Sequence, residues 1–266
     1  MKDMVKVSGL RKRYGAHLAL DEVSFTVRQG EIFGVIGVNG AGKTTLLECI
    51  EGLRQPDGGQ IELAGRAGIQ LQDAALPAHI RVKEALELIA RWKKAEWKDA
   101  DDPELIRLYP KLYHHLSTGQ KRKVQLAAAL IADPDIVFLD EPGAGLDVSG
   151  RLSLHQQIRQ LARRGKSVII ASHDMAEVEA LCARILVLQR GKVSFLGTLE
   201  ELAERTGKHY VIHLVTERTE REVISDQIAA TLQDLLRAHQ GENIVDLRVS
   251  RGSLAQHLLA LSEESA

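Results

Sequence analysis

Nine residues, Gly37 to Thr45 in "GVNGAGKTT", set three glycines, a lysine and two threonines in the spacing G-x-x-x-x-G-K-[ST]. Glycines let a backbone curl so that successive N–H groups point inward at one anion. A helix starting at the same point adds about half a positive charge. Lys43 would then reach the β- and γ-phosphates of a nucleotide, and the Thr44 hydroxyl would ligate Mg²⁺. The run Gly37, Asn39, Gly40, Ala41, Gly42, Lys43, Thr44 and Thr45 is therefore assigned to nucleotide binding. The competing reading is a glycine-rich turn with a surface lysine. The apolar "EIFGVIG" (31–37) before it and the helical pattern after it favour the cradle.

A second constellation is "IVFLDE". Its apolar run predicts a buried strand that delivers Asp140 and Glu141 together to the strand's C-terminal edge, where ligands collect in open α/β sheets. Adjacent carboxylates there are costly without a cation or reacting water nearby. Asp140 fits a water-mediated Mg²⁺ role, and Glu141 fits the base that orients or deprotonates an attacking water. Nucleoside triphosphate hydrolysis follows. The third stretch, "HHLSTGQKRK" (114–123), is a Ser-Thr-Gly turn feeding a helix that carries Val124, Leu126, Leu130 and Ile131. Its free N–H groups make an anion-binding end with no obvious anion nearby in sequence. Adjacent His114 and His115 point about 100° apart on a helix and receive no ligand role.

These groups need a frame. "DIVFLDE" (135–141) and "KSVIIAS" (166–172) read as buried strands, with a helix between them on which Leu154, Ile158 and Leu161 share a face. "RILVLQRGKVSFLG" (184–197) reads as a hairpin turning at Arg190-Gly191. Amphipathic helices at 82–92 and 104–116 flank the polar "RWKKAEWKDADD", an inserted helical lobe. Beyond "GTLEELAERTGKH" the strand "HYVIHLVT" (209–216) precedes a helix face of Ile224, Ile228, Leu232, Leu235 and Leu236. The strand "NIVDLRVS" (243–250) and a terminal helix "SLAQHLLALSEE" complete a β-α-β-α accessory unit.

The 266 residues are 44% hydrophobic and 27% charged, with a net charge of −1, enough chain for one large or two modest cores. Near-neutral charge argues against nucleic acid as a partner. Cys49 and Cys182, the only cysteines, read as reduced core thiols of the cytosol. Neither a signal peptide nor an apolar run long enough to span a bilayer is visible. A soluble protein is expected, with any membrane role borrowed from a partner.

The order of motifs resembles the ATP-binding subunits of ABC transporters over roughly residues 4–205. It runs through "RYG", "GVNGAGKTT", "QLQD", "LSTGQKRK", "IVFLDEP", "GAGLD" and "ASHD". That resemblance implies a P-loop α/β ATPase domain (1–205) with an N-terminal antiparallel β region and a short helical subdomain at about 74–130. The accessory domain spans 206–266. It also implies ATP and Mg²⁺ as ligands. Tyr14 would stack on adenine, against a core tyrosine as alternative. Gln72 would touch Mg²⁺ and the attacking water, with Gln70 as competitor. His173 would bond the γ-phosphate, and Asp147 would lie in a loop crossing a dimer interface, although it also looks like an N-cap. Ser117, Gly119 and Gln120 would face the nucleotide held by a second copy or a similar ATPase subunit. The implied partner is an integral membrane permease, with this chain on the inner face of the membrane.

Thr118 stands where the family has glycine, and it would be strained if that position required positive φ. Val38 and Gly143 also depart from the usual pattern, and the Gln72–Leu116 segment is short. Trp92 and Trp97 would line a permease contact or simply pack helices. The C-terminal "GSLAQHLLALSEE" resembles the daunorubicin-type drug-resistance branch, which favours export. Alternatives are a non-transport ABC-type ATPase and a catalytically weak regulator. The first lacks the paired cassettes, coiled-coil or zinc insertions of such proteins, and Lys43, Asp140, Glu141 and His173 argue against the second.

Overall fold

The computed structural model describes residues 2–70, 76–96, 102–206, 210–251, 254 and 258. The chain forms two compact units, Met1–Leu196 and Gly197–Ala266.

The first unit opens with β1 (Asp3–Tyr14) and β2 (His17–Arg28), whose inward residues alternate with exposed ones. β3 (Ile32–Ile36) is buried at every position and leads through the glycine loop into α1 (Lys43–Ile50). Next come β4 (Gly58–Leu63) and β5 (Ala67–Gln70). β1 pairs antiparallel with β2 and β4 in one three-stranded sheet.

The helical lobe holds α2 (Val82–Trp92), α3 (Pro103–Ile106) and α4 (Thr118–Leu130). Its own small core joins Val82, Leu86, Leu105, Leu108, Tyr109, Tyr113, Leu116 and Val124. The single helix expected at 104–116 is not formed. α3 ends at Ile106, turns follow, and Tyr113–His115 make one 3₁₀ turn. Pro110 explains this, since it offers no N–H and its ring obstructs the carbonyl four residues earlier. Leu112 instead bridges Arg81.

The main sheet is completed by β6 (Ile136–Asp140), α5 (Val148–Arg163), β7 (Ser167–Ser172), α6 (Met175–Leu181), β8 (Arg184–Gln189) and β9 (Lys192–Thr198). Its order is β5-β6-β7-β3-β8-β9, with β5, β6, β7, β3 and β8 parallel. Arg190 and Gly191, both at positive φ, close the expected hairpin. The large core lies between the two sheets around α1, where Phe25 stacks on Phe33 at 5.3 Å. Leu154, Ile158 and Leu161 of α5 are buried as their spacing predicts.

The second unit begins inside β9 and takes in α7 (Leu199–Arg205), which starts at once from a Thr198–Glu201 capping box. The structural division therefore falls before the expected 205/206 boundary. β10 (Tyr210–Thr216), β11 (Glu220–Ser225), α8 (Ile228–Ala238) and β12 (Ile244–Arg251) follow, in the antiparallel order β11-β10-β12. Over residues 210–251 the order is thus β-β-α-β, one strand more than the opening β-α-β of the expected β-α-β-α unit. Ile224 belongs to β11, not to the helix face, although it lies four residues before Ile228. Ser225 explains the break: its Oγ accepts the Gln227 N–H at 3.0 Å and turns the chain before α8 starts. Ile212, Leu214 and Leu235 form this unit's core. The terminal helix pattern falls outside the described residues except at Leu254 and Leu258. Among described residues no helix is long and apolar enough to cross a membrane.

Candidate nucleotide and catalytic site

The glycine loop leaves β3 in the interior of the sheet and ends at α1. Gly40 (φ 81°) and Gly42 (φ 109°) occupy the left-handed region. A Cβ on Gly42 would meet the Ala19 carbonyl at 2.6 Å, and one on Gly37 the Leu188 carbonyl at 2.5 Å. The loop therefore needs glycine twice, for conformation and for closeness. Gly42 caps α1 without any side-chain bond, so no side-chain cap competes with an anion there. Lys43 is buried, and its Nζ donates to the Gly37 carbonyl at 2.8 Å and the Val38 carbonyl at 3.4 Å. The ammonium is thus held over its own loop, within reach of anything the loop wraps.

Thr44 Oγ1 donates to Asp140 Oδ2 at 3.3 Å, joining α1 to the end of β6. Asp140 is buried and its Oδ1 has no hydrogen-bond partner. Burial pushes its carboxyl above the usual range, Glu141 adds to the rise, and the Thr44 hydroxyl opposes it. A hydroxyl and an orphaned buried carboxylate oxygen form the hard oxygen donor set that Mg²⁺ takes, so the residues fit that ion.

Glu141 follows at φ 48°, its N–H donating to the Ala171 carbonyl of β7 at 2.9 Å. Its Oε1 lies 2.8 Å from His173 Nδ1. Register explains the meeting, because Asp140 pairs with Ala171 and the two chains leave the sheet side by side. Glu141 is buried, whereas the His173 side chain is 60% exposed and open to a ligand. Lys43, Thr44, Asp140, Glu141 and His173 are thus gathered at the C-terminal ends of β3, β6 and β7.

Tyr14 ends β1 with 39% exposure, flanked by Lys12 Nζ at 5.6 Å and Arg54 Cζ at 5.4 Å from the ring. The core-tyrosine alternative does not hold. Ser117 caps α4 by accepting the Gln120 N–H at 3.3 Å, and the Gln120 side chain accepts the Ser117 N–H at 3.2 Å. Thr118 is the first helical residue, and it is absent from the positive-φ positions among the described residues. The strain considered for it does not arise. Asp147 caps α5 by accepting the Gly150 N–H at 2.7 Å, which is the N-cap reading. Gly119, Gln120 and Asp147 with Ser117 thus sit at two neighbouring helix starts, where a Cβ on Gly145 would come 3.1 Å from the Thr118 methyl. α4 meets β5 through its C-terminal end, where the Ala129 carbonyl closes on Gly68, while its start lies against Gly145 and Leu146 of the loop after β6.

Gln72 and Trp97 lie outside the described residues. Gln70 is buried with both amide atoms unpartnered. Trp92 is 80% exposed and does not pack between helices. His114 Nδ1 is bonded to the Ala78 carbonyl, and no group of three or more His, Cys, Asp or Glu side chains is placed to hold a metal among the described residues. Cys49 and Cys182 are buried free thiols.

Two carboxylates that each carry a buried, unpartnered oxygen escaped the sequence reading, half-buried Glu51 after α1 and buried Glu177 in α6. Glu177 follows Asp174 in the D-x-x-E spacing of a capping box, which disguises it as a cap. Its Oε2 instead accepts the Ser172 hydroxyl at 2.8 Å.

Residues 20–144 match the family described as ABC transporter. A daunorubicin resistance ATP-binding protein of Streptomyces coeruleorubidus is 36% identical over 76% of this chain and 71% of its own length. The Nod factor export ATP-binding protein I of Ralstonia nicotianae is 34% identical over 75% of this chain and 68% of its own. A solved ATP-binding subunit of an ABC transporter superposes with a TM-score of 0.67 at 26% identity, covering 76% of this chain and 92% of that one. With its phosphate loop, its Thr44–Asp140 contact and its Glu141–His173 pair, this chain belongs to the ABC transporter ATP-binding proteins and is a P-loop ATPase.

Proposed function

We propose that this chain is the ATPase subunit of an ABC exporter, working as a head-to-tail pair on the inner face of a membrane beside a separate permease. The observation that carries the hydrolytic reading is the Glu141–His173 contact of 2.8 Å beside the Thr44–Asp140 contact. The backbone N–H groups of residues 37–45 wrap the phosphates, and Lys43 exchanges its two loop carbonyls for β- and γ-phosphate oxygens. Tyr14 offers its exposed ring to adenine. Thr44 and Asp140, with Gln72, hold Mg²⁺, which when bound supplies positive charge to the phosphate oxygens. Glu141 orients or deprotonates the attacking water, and His173 fixes the Glu141 carboxylate while its exposed edge donates to the γ-phosphate.

Pairing is supported by where the α4 start packs, against Gly145 and Leu146 of the loop after β6, two strands from β3 and its cradle. Ser117, Gly119, Gln120 and Asp147 then complete the γ-phosphate site of a second copy. Export is supported by the drug-resistance and Nod-factor relatives. Exposed Leu88 and Trp92, four residues apart on α2, suit the permease contact.

Two variants test this. Glu141→Gln keeps ATP binding, slows hydrolysis by roughly 10²- to 10⁴-fold, and accumulates an ATP-bound dimer by size-exclusion chromatography. A monomer with normal turnover overturns the mechanism. Ser117→Arg abolishes turnover in a chain that still binds ATP; full activity there would refute action across a dimer.

A further inference from the structure

We propose that Glu177 is a positioning residue that joins the 142–147 loop to the Glu141–His173 pair. The inference rests on the hydrolytic reading above.

Glu177 is 2% exposed, and its two oxygens face two different parts of the site. Oε2 accepts the Ser172 hydroxyl at 2.8 Å, and Ser172 Oγ in turn accepts the Asp174 N–H at 3.0 Å. His173 is the residue between, so its backbone is clamped from both sides. Oε1 lies where a Cβ on Gly143 would be, 2.5 Å away. Gly143 has φ outside the left-handed region, so an added Cβ there meets no backbone strain and acts by displacing the Glu177 carboxylate. The loop containing Gly143 runs from Glu141 to Asp147, the cap of α5.

α5 brings further groups to the same spot. His155 Nε2 is 3.9 Å from Glu177 Oε1, and Arg151 pairs with Asp174 at 3.1 Å. The charged and titratable groups around Glu177 are therefore Arg151 and His155 from α5, Asp174 at the start of its own helix, Cys182 at the end of that helix, and Glu141. Glu177 Oε1 and His155 Nε2 have no hydrogen-bond partner. A buried carboxylate oxygen left unpartnered is costly, and it is retained here at the junction of both catalytic loops. When the 142–147 loop moves, Oε1 is the atom it pushes, and Ser172 is the atom that transmits the push to His173.

A double-mutant cycle in the full chain tests this. ATP turnover against ATP concentration, and the thermal midpoint, are measured for Gly143→Ala, Glu177→Ala, their double variant and Glu177→Gln. Gly143→Ala and Glu177→Ala are each expected to lower kcat by about 10- to 100-fold, as a small misplacement does, with KM for ATP unchanged. The double variant is expected to lose no more than Glu177→Ala, because the added methyl then has nothing to displace. Glu177→Gln keeps an acceptor for Ser172 and is expected to restore most of kcat. Multiplicative losses, wild-type kcat in Gly143→Ala, or a lowered midpoint with unchanged kcat would each overturn the proposal. Glu141→Gln, run alongside, separates the two failures. If it still turns over, the hydrolytic reading fails; if it is dead while the Glu177 variants are normal, only the positioning role fails.

Discussion

Glu51 sits just past α1 with one carboxylate oxygen buried and unpartnered. Burial first, then Asp140 and Glu48, push its carboxyl from 4.5 up to about 7. The folded chain therefore holds this proton through a range in which the unfolded chain has released it. The contribution of Glu51 to stability is fully present below the unfolded value of 4.5 and is lost as pH rises toward the folded value of about 7, where the loss levels off. The distance between the two values corresponds to about 3 kcal/mol. Glu51 keeps some solvent contact, and screening reduces this to roughly 1–2 kcal/mol. Glu51→Gln removes the titration and leaves the shape. Its stability relative to wild type should improve by roughly 1–2 kcal/mol between pH 4.5 and pH 8, then stay level. The amide's own burial cost does not vary with pH, so the slope is the readout. Urea unfolding in EDTA without nucleotide, at half-unit pH steps, measures it. A gap between the proteins that stays constant over that range would refute the burial argument.

Tyr14→Ala should weaken ATP affinity by about 1–3 kcal/mol, the worth of one base–aromatic stack, while Tyr14→Trp keeps it; calorimetry with unchanged affinity in the alanine variant would remove Tyr14 from the site. Arg184→Ala should cost about 3–5 kcal/mol of stability. It strands the buried Glu31, whose Oε1 it meets at 3.1 Å, and a thermal midpoint equal to wild type would contradict that. Gly42→Ala should abolish nucleotide binding, because its methyl meets the Ala19 carbonyl and its φ is left-handed; normal binding of a fluorescent ATP analogue would show that the loop tolerates a side chain.

The parallel strands were legible because they are buried on both faces, so "IFGVI", "IVFLD" and "SVIIAS" carry no polar interruption before their ends. The chemistry sits where each run stops, which made Lys43, Asp140, Glu141 and His173 readable together. β11 was not legible: Ile224 happens to fall one helical turn before Ile228, and the charged edge strand has no alternation strong enough to contradict it. The 104–116 segment misled for the opposite reason, since its apolar positions do pack inward, but over a broken path around Pro110. Glu51 and Glu177 lay hidden because burial of a carboxylate is a tertiary fact. Nothing in "ECIEGL" or "DMAEVEA" marks which glutamate faces water.

Strain provides a sharper contrast. Thr118 was the position where the sequence raised a backbone question, yet it enters α4 as an ordinary helical residue capped by Ser117. The left-handed residue of the site is Glu141, at a cost of roughly 1–2 kcal/mol for a side chain with a Cβ. An extended residue 141 would continue the pleat and send its side chain to the face opposite Asp140. The left-handed turn breaks that alternation and aims the carboxylate at His173 Nδ1 on the neighbouring strand's exit. Its N–H still finds the Ala171 carbonyl, so the ladder gives up no hydrogen bond at the turn. Backbone strain is thus placed at the residue to which the proposed mechanism gives the activation of water, and the rest of the sheet holds it there.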